Sequence, residues 1–377
     1  MAKIFQLITS INLGGAENIA FQLSEFCNQT EKGDKHDIFI IELFPSSSEY
    51  AIKKREELKA KDIKLITLVN ASKRVALLFA PFRLFHFVNK EQPDIIHSHT
   101  DLPDFVLSNT LRLLSLLTRV KPKIVRTIQN TKLWDTHPKL GKFTESYIAD
   151  SVVVGVSENA LQAYKEMRLS FKQSICNDLR IIYNSSKTPK TDTLPFEIDP
   201  SKINIAFCAR FEHQKGIDVL ADRILSINQK YNSLFNFYLI GHGTYEGKLK
   251  KIFDSHTNVY IYKPILNIAD KFHNFDFIIM PSRFEGLVIT SVEASFAKVP
   301  VIAAYAPGLT ETLPQDWPLF FKLDDEIELL DIFDSLVNNK YDLNKLKAHA
   351  FNYVKDKFSF DTMINNYSKI YSNLTVS

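Results

Sequence analysis

The chain has 377 residues, of which 45% are hydrophobic, and this length accommodates two domains of ordinary size, each with its own core. The formal net charge of +3 is too small to indicate nucleic acid as a partner, so we expect none. No run of about 18 or more apolar residues is present, which argues against a membrane-spanning helix.

The N-terminus and the cysteines indicate a compartment. Residues 1–10 contain a strand candidate and lack the basic start and small-residue cleavage site of a secretory signal. Cys27, Cys176 and Cys208 have neither metal-ligand nor disulfide spacing, as expected in a reducing environment. We therefore expect a cytoplasmic protein.

The first half of the chain alternates short apolar runs with helical patterns, which predicts a parallel sheet whose strands are joined by helices. Strands are predicted at residues 4–8, 36–43, 64–68, 94–99, 123–128, 151–156 and 179–183. Helices are predicted at residues 18–27, 49–60, 75–89 and 104–118, and Ser157 is a candidate N-cap for another. We place the first domain at 1–185, together with a C-terminal helical segment, 358–377.

Positive charge is concentrated between Lys73 and Lys142, where there are twelve Lys and Arg residues but only five Asp and Glu. The same region is rich in Leu and Phe. This composition fits peripheral docking on an anionic membrane. The alternative is a set of core helices with solvated lysines between them.

Residues 186–201 contain three prolines and no periodicity, which indicates an interdomain linker. A second domain is predicted at 202–357, with strands at 203–208, 235–240, 259–262, 277–280 and 298–303 and helices at 326–338 and 343–357. A last helix, 361–373, carries apolar residues at helical spacing: Met363, Ile364, Tyr367, Ile370 and Tyr371.

Two carboxylates follow the apolar run 277–280. Glu285 lies at a turn, and Glu293 comes about two helical turns later. Gly286 lets the backbone approach a ligand, and a helix starting near Leu287 offers unpaired N–H groups that suit a phosphate. This combination is typical of a nucleotide-sugar site. The alternatives are the acid and base of glycoside hydrolysis, or two ordinary helix residues.

The string EGLVITSVEA, in which seven residues separate Glu285 from Glu293, resembles the E-x7-E signature of the family 4 retaining glycosyltransferases. The resemblance implies the GT-B fold, in which two Rossmann-like α/β domains face each other across a donor-binding cleft and a C-terminal helix crosses back to the N-terminal domain. It also implies that Glu293 binds the ribose and Glu285 the donor sugar. Further donor contacts are implied for Gly286, Leu287, Val288 and Ile265.

Three other motifs precede this stretch in the chain, in the order in which the family has them. Gly14 and Gly15 resemble its N-terminal glycine loop, which can lie flat against the donor diphosphate or an acceptor. A tight strand-to-helix turn is the alternative. The strand closing in His-x-His at 97–99 places His99 and Asp101 on the acceptor side, although histidines that merely end a strand are the alternative.

The third motif is a pair of cations. Arg210 and Lys215 resemble the Arg-x4-Lys-Gly element of the family, which supplies positive charge to the leaving diphosphate. A solvated basic turn is the alternative reading.

Two positions depart from the family pattern. Ser185 follows Asn184 where a glycine is usual, and Gln129 stands where the family commonly has a histidine that touches the donor sugar. Gln cannot gain or lose a proton near neutral pH. Gln129 therefore replaces the histidine if that residue orients a hydroxyl. If the histidine acts through its charge, we expect this chain to be slow or inactive. Gln129 is then either a natural departure from the family or an engineered change.

We expect a metal-independent retaining hexosyltransferase without a cofactor, with Glu285, Arg210, Lys215 and Gln129 as its catalytic residues. The donor is a UDP-sugar, or alternatively a GDP-sugar, and the acceptor is a saccharide or lipid-linked saccharide, as in bacterial capsule, O-antigen or lipopolysaccharide synthesis. The alternatives are a nucleotide-sugar epimerase or a phosphorylase of the same fold, and an inactive sugar-nucleotide-binding protein.

Overall fold

The computed structural model describes residues 2–12, 14–28, 36–148, 150–186, 188–231 and 234–376. The chain divides into two compact units, which we call unit 1 (Met1–Asn184 with Asp361–Ser377) and unit 2 (Ser185–Phe360). Each unit contains one parallel sheet with helices in the connections between its strands. Central strands buried along their whole length show that both faces of each sheet are covered.

In unit 1 the sheet has the order β3-β2-β1-β4-β5-β6-β7 among the described residues. Its strands are β1 (Lys3–Ile8), β2 (Asp37–Glu42), β3 (Lys64–Thr67), β4 (Ile95–Ser98), β5 (Lys123–Ile128), β6 (Val152–Gly155) and β7 (Leu179–Ile181). Its helices are α1 (Gly15–Asn28), α2 (Glu49–Ala60), α3 (Lys73–Glu91), α4 (Asp101–Leu117), α5 (Pro138–Glu145) and α6 (Glu158–Ser170). The Ser157 hydroxyl accepts a hydrogen bond from the Ala160 N–H, which confirms its role as the N-cap of α6.

In unit 2 the described strands form a sheet with the order β10-β9-β8-β11-β12-β13. The strands are β8 (Ile203–Cys208), β9 (Phe235–Ile240), β10 (Val259–Tyr262), β11 (Phe277–Met280), β12 (Val301–Ala304) and β13 (Phe320–Phe321). The helices are α7 (Ile217–Tyr231), α8 (Glu246–Ile252), α9 (Ile289–Phe296), α10 (Glu326–Val337) and α11 (Leu343–Lys357), with short 3-10 helices at His213–Lys215, Ile268–Asn274 and Thr310–Thr312.

The segment predicted as a linker contains no helix or strand over residues 188–201. Leu194, Phe196 and Ile198 pack against the core of unit 2. The Phe196 ring stacks on Tyr262 with a centroid separation of 4.0 Å. These apolar side chains hold the segment against unit 2.

The last helix, α12 (Phe360–Val376), contributes residues 361–377 to unit 1. The predicted apolar face is confirmed, because Met363, Ile364, Tyr367, Ile370 and Tyr371 are all buried. Two of these residues also bond to strands: the Tyr371 hydroxyl lies 2.8 Å from Gln6 Nε2, and the Tyr367 hydroxyl lies 3.2 Å from that of Thr127. The helix is therefore part of the hydrophobic core of unit 1.

Several element boundaries differ from the sequence predictions. Helix α1 begins at Gly15 rather than residue 18, and α4 begins at Asp101 rather than residue 104. Gly15 and Pro103 lie in first turns, where N–H groups lack helical partners, so neither interrupts its helix. The strand predicted at 298–303 begins at Val301, because Lys298 takes a left-handed conformation with φ of 56° after α9.

No helix within the described ranges is both long and apolar enough to cross a bilayer.

Candidate functional site

The sheet of unit 2 changes winding direction at β8. Strand β9 pairs with one side of β8 and β11 with the other, and all three run parallel. In doubly wound sheets such a point opens a crevice at the carboxyl ends of the strands, where ligands bind. The loops that follow β8 and β11 meet at this edge.

Two hydrogen bonds and a close backbone approach fix these two loops to each other. The Arg283 N–H donates to the Gln214 carbonyl at 2.9 Å, and Gln214 Nε2 donates to the Phe284 carbonyl at 3.1 Å. Gly216 has a φ of 67°, and a Cβ atom on it would lie 1.8 Å from the Pro281 carbonyl oxygen. Only glycine fits this position, because it needs both the left-handed conformation and the missing side chain.

Glu285 is held by three loops. The residue is 5% exposed, and its Oε1 accepts a hydrogen bond from Lys215 Nζ at 2.6 Å. Its N–H donates to the Pro307 carbonyl at 3.0 Å, and a Cβ on Gly308 would lie 2.3 Å from the Glu285 carbonyl oxygen. The carboxylate therefore has a fixed position beside a cation at the mouth of the crevice.

Arg210 begins the same loop as Lys215. Its side chain is exposed, and its guanidinium Nη2 lies 3.4 Å from Gln214 Oε1. The structure thus places both predicted cations on one loop, with Lys215 paired and Arg210 extended toward solvent.

The predicted helix start near Leu287 is wrong by two residues. Helix α9 begins at Ile289, and Gly286, Leu287 and Val288 form a buried segment leading into it. The N–H groups of the first turn therefore begin at Ile289, and that of Ser291 donates to the Val288 carbonyl at 3.1 Å.

Glu293 lies in the second turn of α9 and differs electrically from Glu285. Burial raises the pKa of Glu293 to about 7, while a hydrogen bond from the Ser186 side chain acts in the opposite direction. Within the described residues no cation pairs with it. Burial raises the pKa of the Cys208 thiol and the charge of Glu293 raises it further, so Glu293 lies near the end of β8. Near neutral pH this carboxyl is therefore present in both its protonated and its ionised form.

Ile265 follows β10, two strands away from β8 in the sheet. Its half-buried side chain packs against the core of unit 2. Its backbone lies at the same carboxyl edge as the other loops.

In unit 1 the two histidines at the end of β4 belong to a buried polar chain. His99 Nε2 and Gln6 Oε1 are 2.6 Å apart, Gln6 Nε2 donates to the Tyr371 hydroxyl, and that hydroxyl lies 2.7 Å from His97 Nδ1. His97 Nε2 is 2.6 Å from the Thr127 hydroxyl. Each member thus has a partner that fixes its orientation.

Burial lowers the pKa of His99 to about 3 and the pKa of His97 well below its ordinary value. Both imidazoles are therefore neutral near pH 7. His99 Nδ1 is buried and has no hydrogen-bond partner among the described residues. The group is suited to hydrogen bonding and not to carrying charge.

Asp101 lies in the first turn of α4. Burial raises its pKa to about 6, although a hydrogen bond from the Trp134 backbone acts in the opposite direction. It stands one helical turn from a cluster that the sequence analysis missed, centred on Arg126.

Arg126 is 1% exposed in the middle of β5. Its guanidinium lies 2.8 Å from Glu145 Oε1, 2.7 Å from Asp150 Oδ1 and 3.2 Å from Asp104 Oδ2. Arg168 pairs with Glu145 at 3.0 Å. The arginine inside the strand pattern KIVRTI could have indicated this cluster, because a charge within a buried strand needs partners of opposite charge. The cluster joins α4, α5 and β5 below Asp101.

Gly14 and Gly15 lie at the start of α1, and the Gly14 carbonyl accepts the first helical bond from Asn18. The Glu17 carboxylate covers Gly14, since a Cβ there would lie 2.2 Å from Glu17 Oε2. Gly15 faces open space. Leu13, between them and β1, lies outside the described residues. A negative side chain thus already occupies this helix start.

Gln129 follows β5 and pairs with Asn184. Asn184 Nδ2 donates to Gln129 Oε1 at 2.9 Å, while Gln129 Nε2 and Asn184 Oδ1 are buried without a partner among the described residues. If the nitrogen and oxygen of both amides are exchanged, the pair still leaves one hydrogen-bond donor and one acceptor unpartnered. One donor and one acceptor remain side by side, which is the complement of a hydroxyl group.

No group of three or more His, Cys, Asp or Glu side chains in the described ranges is arranged to hold a metal ion.

Residues 202–339 match a family model described as Glycosyl transferases group 1. The chain is 26% identical over 298 residues to the O-antigen biosynthesis glycosyltransferase WclY of Escherichia coli, covering 74% of this chain and 79% of that protein. It is 25% identical over 295 residues to an uncharacterized 41.2 kDa protein in the cps region of Klebsiella pneumoniae, with the same two shares.

The structure of Anabaena Alr3699/HepE in complex with UDP and glucose is similar to this chain, with a TM-score of 0.78 and 15% identity over 99% of this chain and 100% of that one. Together with the two parallel sheets, this likeness confirms the predicted GT-B fold. The family model and the curated relatives support a glycosyltransferase.

Replacing Gly216 by Ala should destabilise unit 2 by about 2 kcal/mol or more, because the variant combines an unfavourable φ with a clash against Pro281. Gly247→Ala is the matched control: its Cβ meets nothing within 4 Å, and we expect a gain of about 0.5 to 1 kcal/mol in α8. Urea unfolding followed by Trp317 fluorescence, in a Trp134→Phe background, measures both. Equal midpoints for the two variants would show that the loop adapts to a side chain.

Proposed function

We propose that this chain, a glycosyltransferase with the GT-B fold, is a retaining, metal-independent enzyme of family 4. It moves a sugar from a UDP donor to a saccharide or lipid-linked saccharide acceptor in the synthesis of a bacterial surface polysaccharide. The relatives in O-antigen synthesis and the cps region support the pathway, and the UDP bound to HepE supports the nucleotide. A GDP-sugar is the alternative donor.

The contact between Lys215 and Glu285 carries the proposal. It joins the loops after β8 and β11 at the edge where doubly wound sheets bind ligands, and it lies within the region matched by the family model. A sugar nucleotide needs positive charge for its diphosphate and carboxylates for its hydroxyls. At this edge a cation and a carboxylate are joined directly by a hydrogen bond.

The pair also suggests how the donor is engaged. A bound diphosphate draws the Lys215 ammonium away from Glu285, and the freed carboxylate then accepts hydrogen bonds from the donor sugar. Arg210 and Lys215 stabilise the negative charge that develops on the diphosphate as the glycosidic bond breaks. In this scheme the two cations do the work that a divalent ion does elsewhere.

The remaining donor contacts follow from position. Glu293 accepts hydrogen bonds from the ribose hydroxyls, and the Gly286–Val288 segment with the start of α9 faces the diphosphate through N–H groups. Ile265 contacts the base through its backbone, and Gly14 and Gly15 contribute further donor contacts.

Retention is explained by front-face transfer, in which the leaving diphosphate itself takes the proton of the attacking hydroxyl. His99 and Asp101 form the acceptor side. Because His99 is neutral, it acts there as a hydrogen-bonding group. Gln129 orients a sugar hydroxyl together with its partner Asn184. Gln129 Nε2 donates a hydrogen bond to the hydroxyl, and Asn184 Oδ1 accepts one from it.

Incubation of the protein with a panel of UDP- and GDP-sugars tests the function, and slow release of UDP from one donor is the expected result. Lys215→Ala should lower kcat more than it raises the donor KM, since it removes charge stabilisation from the transition state. Lys251→Ala, an exposed change on α8, is the matched control. Isomerised donor would make the chain an epimerase, phosphate-dependent sugar phosphate a phosphorylase, and tight binding without turnover a binding protein.

Glu293 should make UDP affinity depend on pH. A ribose hydroxyl donates to the ionised carboxylate, so affinity rises as pH passes through about 7 and then levels off. Between pH 6 and 8 the ionised fraction changes about tenfold for a pKa near 7. Glu293→Gln should bind more weakly, by about 1.5 to 3 kcal/mol at high pH. Because UDP also titrates, the ratio of wild-type to variant affinity from calorimetry is the relevant quantity.

Glu197→Gln, an exposed acidic residue of the same unit, is the control and should leave the pH profile unchanged. A ratio of affinities that does not vary with pH would remove Glu293 from the ribose site.

Gln129→His should keep turnover within about tenfold, a barrier change of about 1.4 kcal/mol, because either side chain can orient a hydroxyl. Gln129→Ala should lose much more, since it removes the hydroxyl contact and the partner of Asn184. Steady-state kinetics with the best donor measures both variants. A rise of several orders of magnitude in Gln129→His would identify the chain as an inactivated or divergent form.

A further inference from the structure

Helix α3 has two apolar faces. Ala76, Ala80, Leu84 and Val88 are fully buried and form the inner face. On the opposite side Val75 is 42% exposed, Leu78 64%, Phe79 51% and Phe82 58%. These four residues follow the spacing of one helical stripe. We call them the α3 outer face.

Cations flank the α3 outer face. Lys73, Arg74 and Arg83 are exposed, and no acidic residue occurs on the helix before Glu91. None of these three cations forms an ion pair with any part of the chain that the structure describes. The surface therefore combines two large exposed phenylalanines with uncompensated positive charge.

The α3 outer face lies toward the edge of the sheet that carries the acceptor-side residues. Helix α3 starts after β3 ends, so its first half is at the carboxyl edge, and α4 starts at Asp101 on the same edge. The two helices are packed together, and the Thr110 hydroxyl of α4 donates to the Pro81 carbonyl of α3 at 3.1 Å. Arg119, in contrast, lies beyond the far end of α4.

We propose that the α3 outer face docks on an anionic lipid bilayer, with Leu78, Phe79 and Phe82 in the headgroup and acyl boundary and Lys73, Arg74 and Arg83 on the headgroup charges. An apolar stripe bordered by Lys and Arg is the pattern of a helix that lies in a membrane interface. The inference deepens the proposed function, because it makes the acceptor a lipid-linked saccharide that reaches His99 and Asp101 from the membrane surface.

Sedimentation of the full-length protein with phosphatidylcholine vesicles, with and without phosphatidylglycerol, tests the docking. We expect pelleting only with the anionic vesicles, and reversal by salt. The triple change Lys73→Glu, Arg74→Glu, Arg83→Glu and, separately, Phe79→Ser with Phe82→Ser should each weaken binding about tenfold or more. Arg119→Glu is the matched control and should stay within about twofold of the wild type.

Release of UDP from a soluble donor, measured without vesicles, keeps the two proposals apart and should be unchanged in these variants. An active enzyme that does not pellet, or that pellets equally in all variants, overturns the docking alone. Loss of pelleting in Arg119→Glu as well would assign binding to overall charge and not to α3. Self-association in ultracentrifugation that disappears in Phe79→Ser with Phe82→Ser would make the α3 outer face a protein interface and overturn the lipid assignment.

Discussion

Close approach of backbone to backbone at the carboxyl edge of unit 2 is the constraint on which the candidate site depends. Gly216 lies against the Pro281 carbonyl, and Gly308 lies against the carbonyls of Glu285 and Gly286. Neither contact leaves room for a Cβ atom. These main-chain contacts hold the loops of Lys215 and Glu285 side by side, and the two side chains meet there at 2.6 Å.

The two carboxylates of the site have different environments. Glu285 is paired with Lys215, while Glu293 is half-buried, has no cation partner among the described residues and has a raised pKa. In the proposed function a bound diphosphate opens the ion pair, and its binding is thereby coupled to the release of Glu285. A carboxyl poised near neutrality instead responds to hydrogen-bond donors by ionising. Under this proposal the same residue type therefore serves two steps of donor recognition.

Unit 1 achieves order through buried polar groups. Tyr371 on the last helix bonds to residues on β1 and β4, and Arg126 joins three carboxylates beneath Asp101. Removing a single partner from such a network leaves a buried polar group unsatisfied, which is costly. These networks fix the residues around His99 and Asp101, whereas the outer face of α3 on the same unit is left exposed and apolar.

The sequence determined the elements that depend on local patterns. The predicted limits hold for the strands at 123–128, 203–208, 235–240, 259–262 and 277–280 and for the helices at 49–60 and 343–357. In each, a run of strand-forming or helix-forming residues ends at turn residues. The α/β class, the buried face of the last helix and the E-x7-E spacing could also be read from the chain. Helix starts at Gly15, Asp101 and Ile289 could not, because first-turn residues make no helical N–H bond that a pattern reveals.

Only the tertiary structure decided which side chains meet. Lys215 and Glu285 are 70 residues apart, and Gln6 and His99 are 93 apart, so no local spacing specifies either contact. The neutral state of His99 and the raised pKa of Glu293 come from burial, which is a property of the packed core. The apolar residues of α3 show the same limit: the sequence gives their helical spacing, but which stripe is covered depends on the neighbouring sheet and α4.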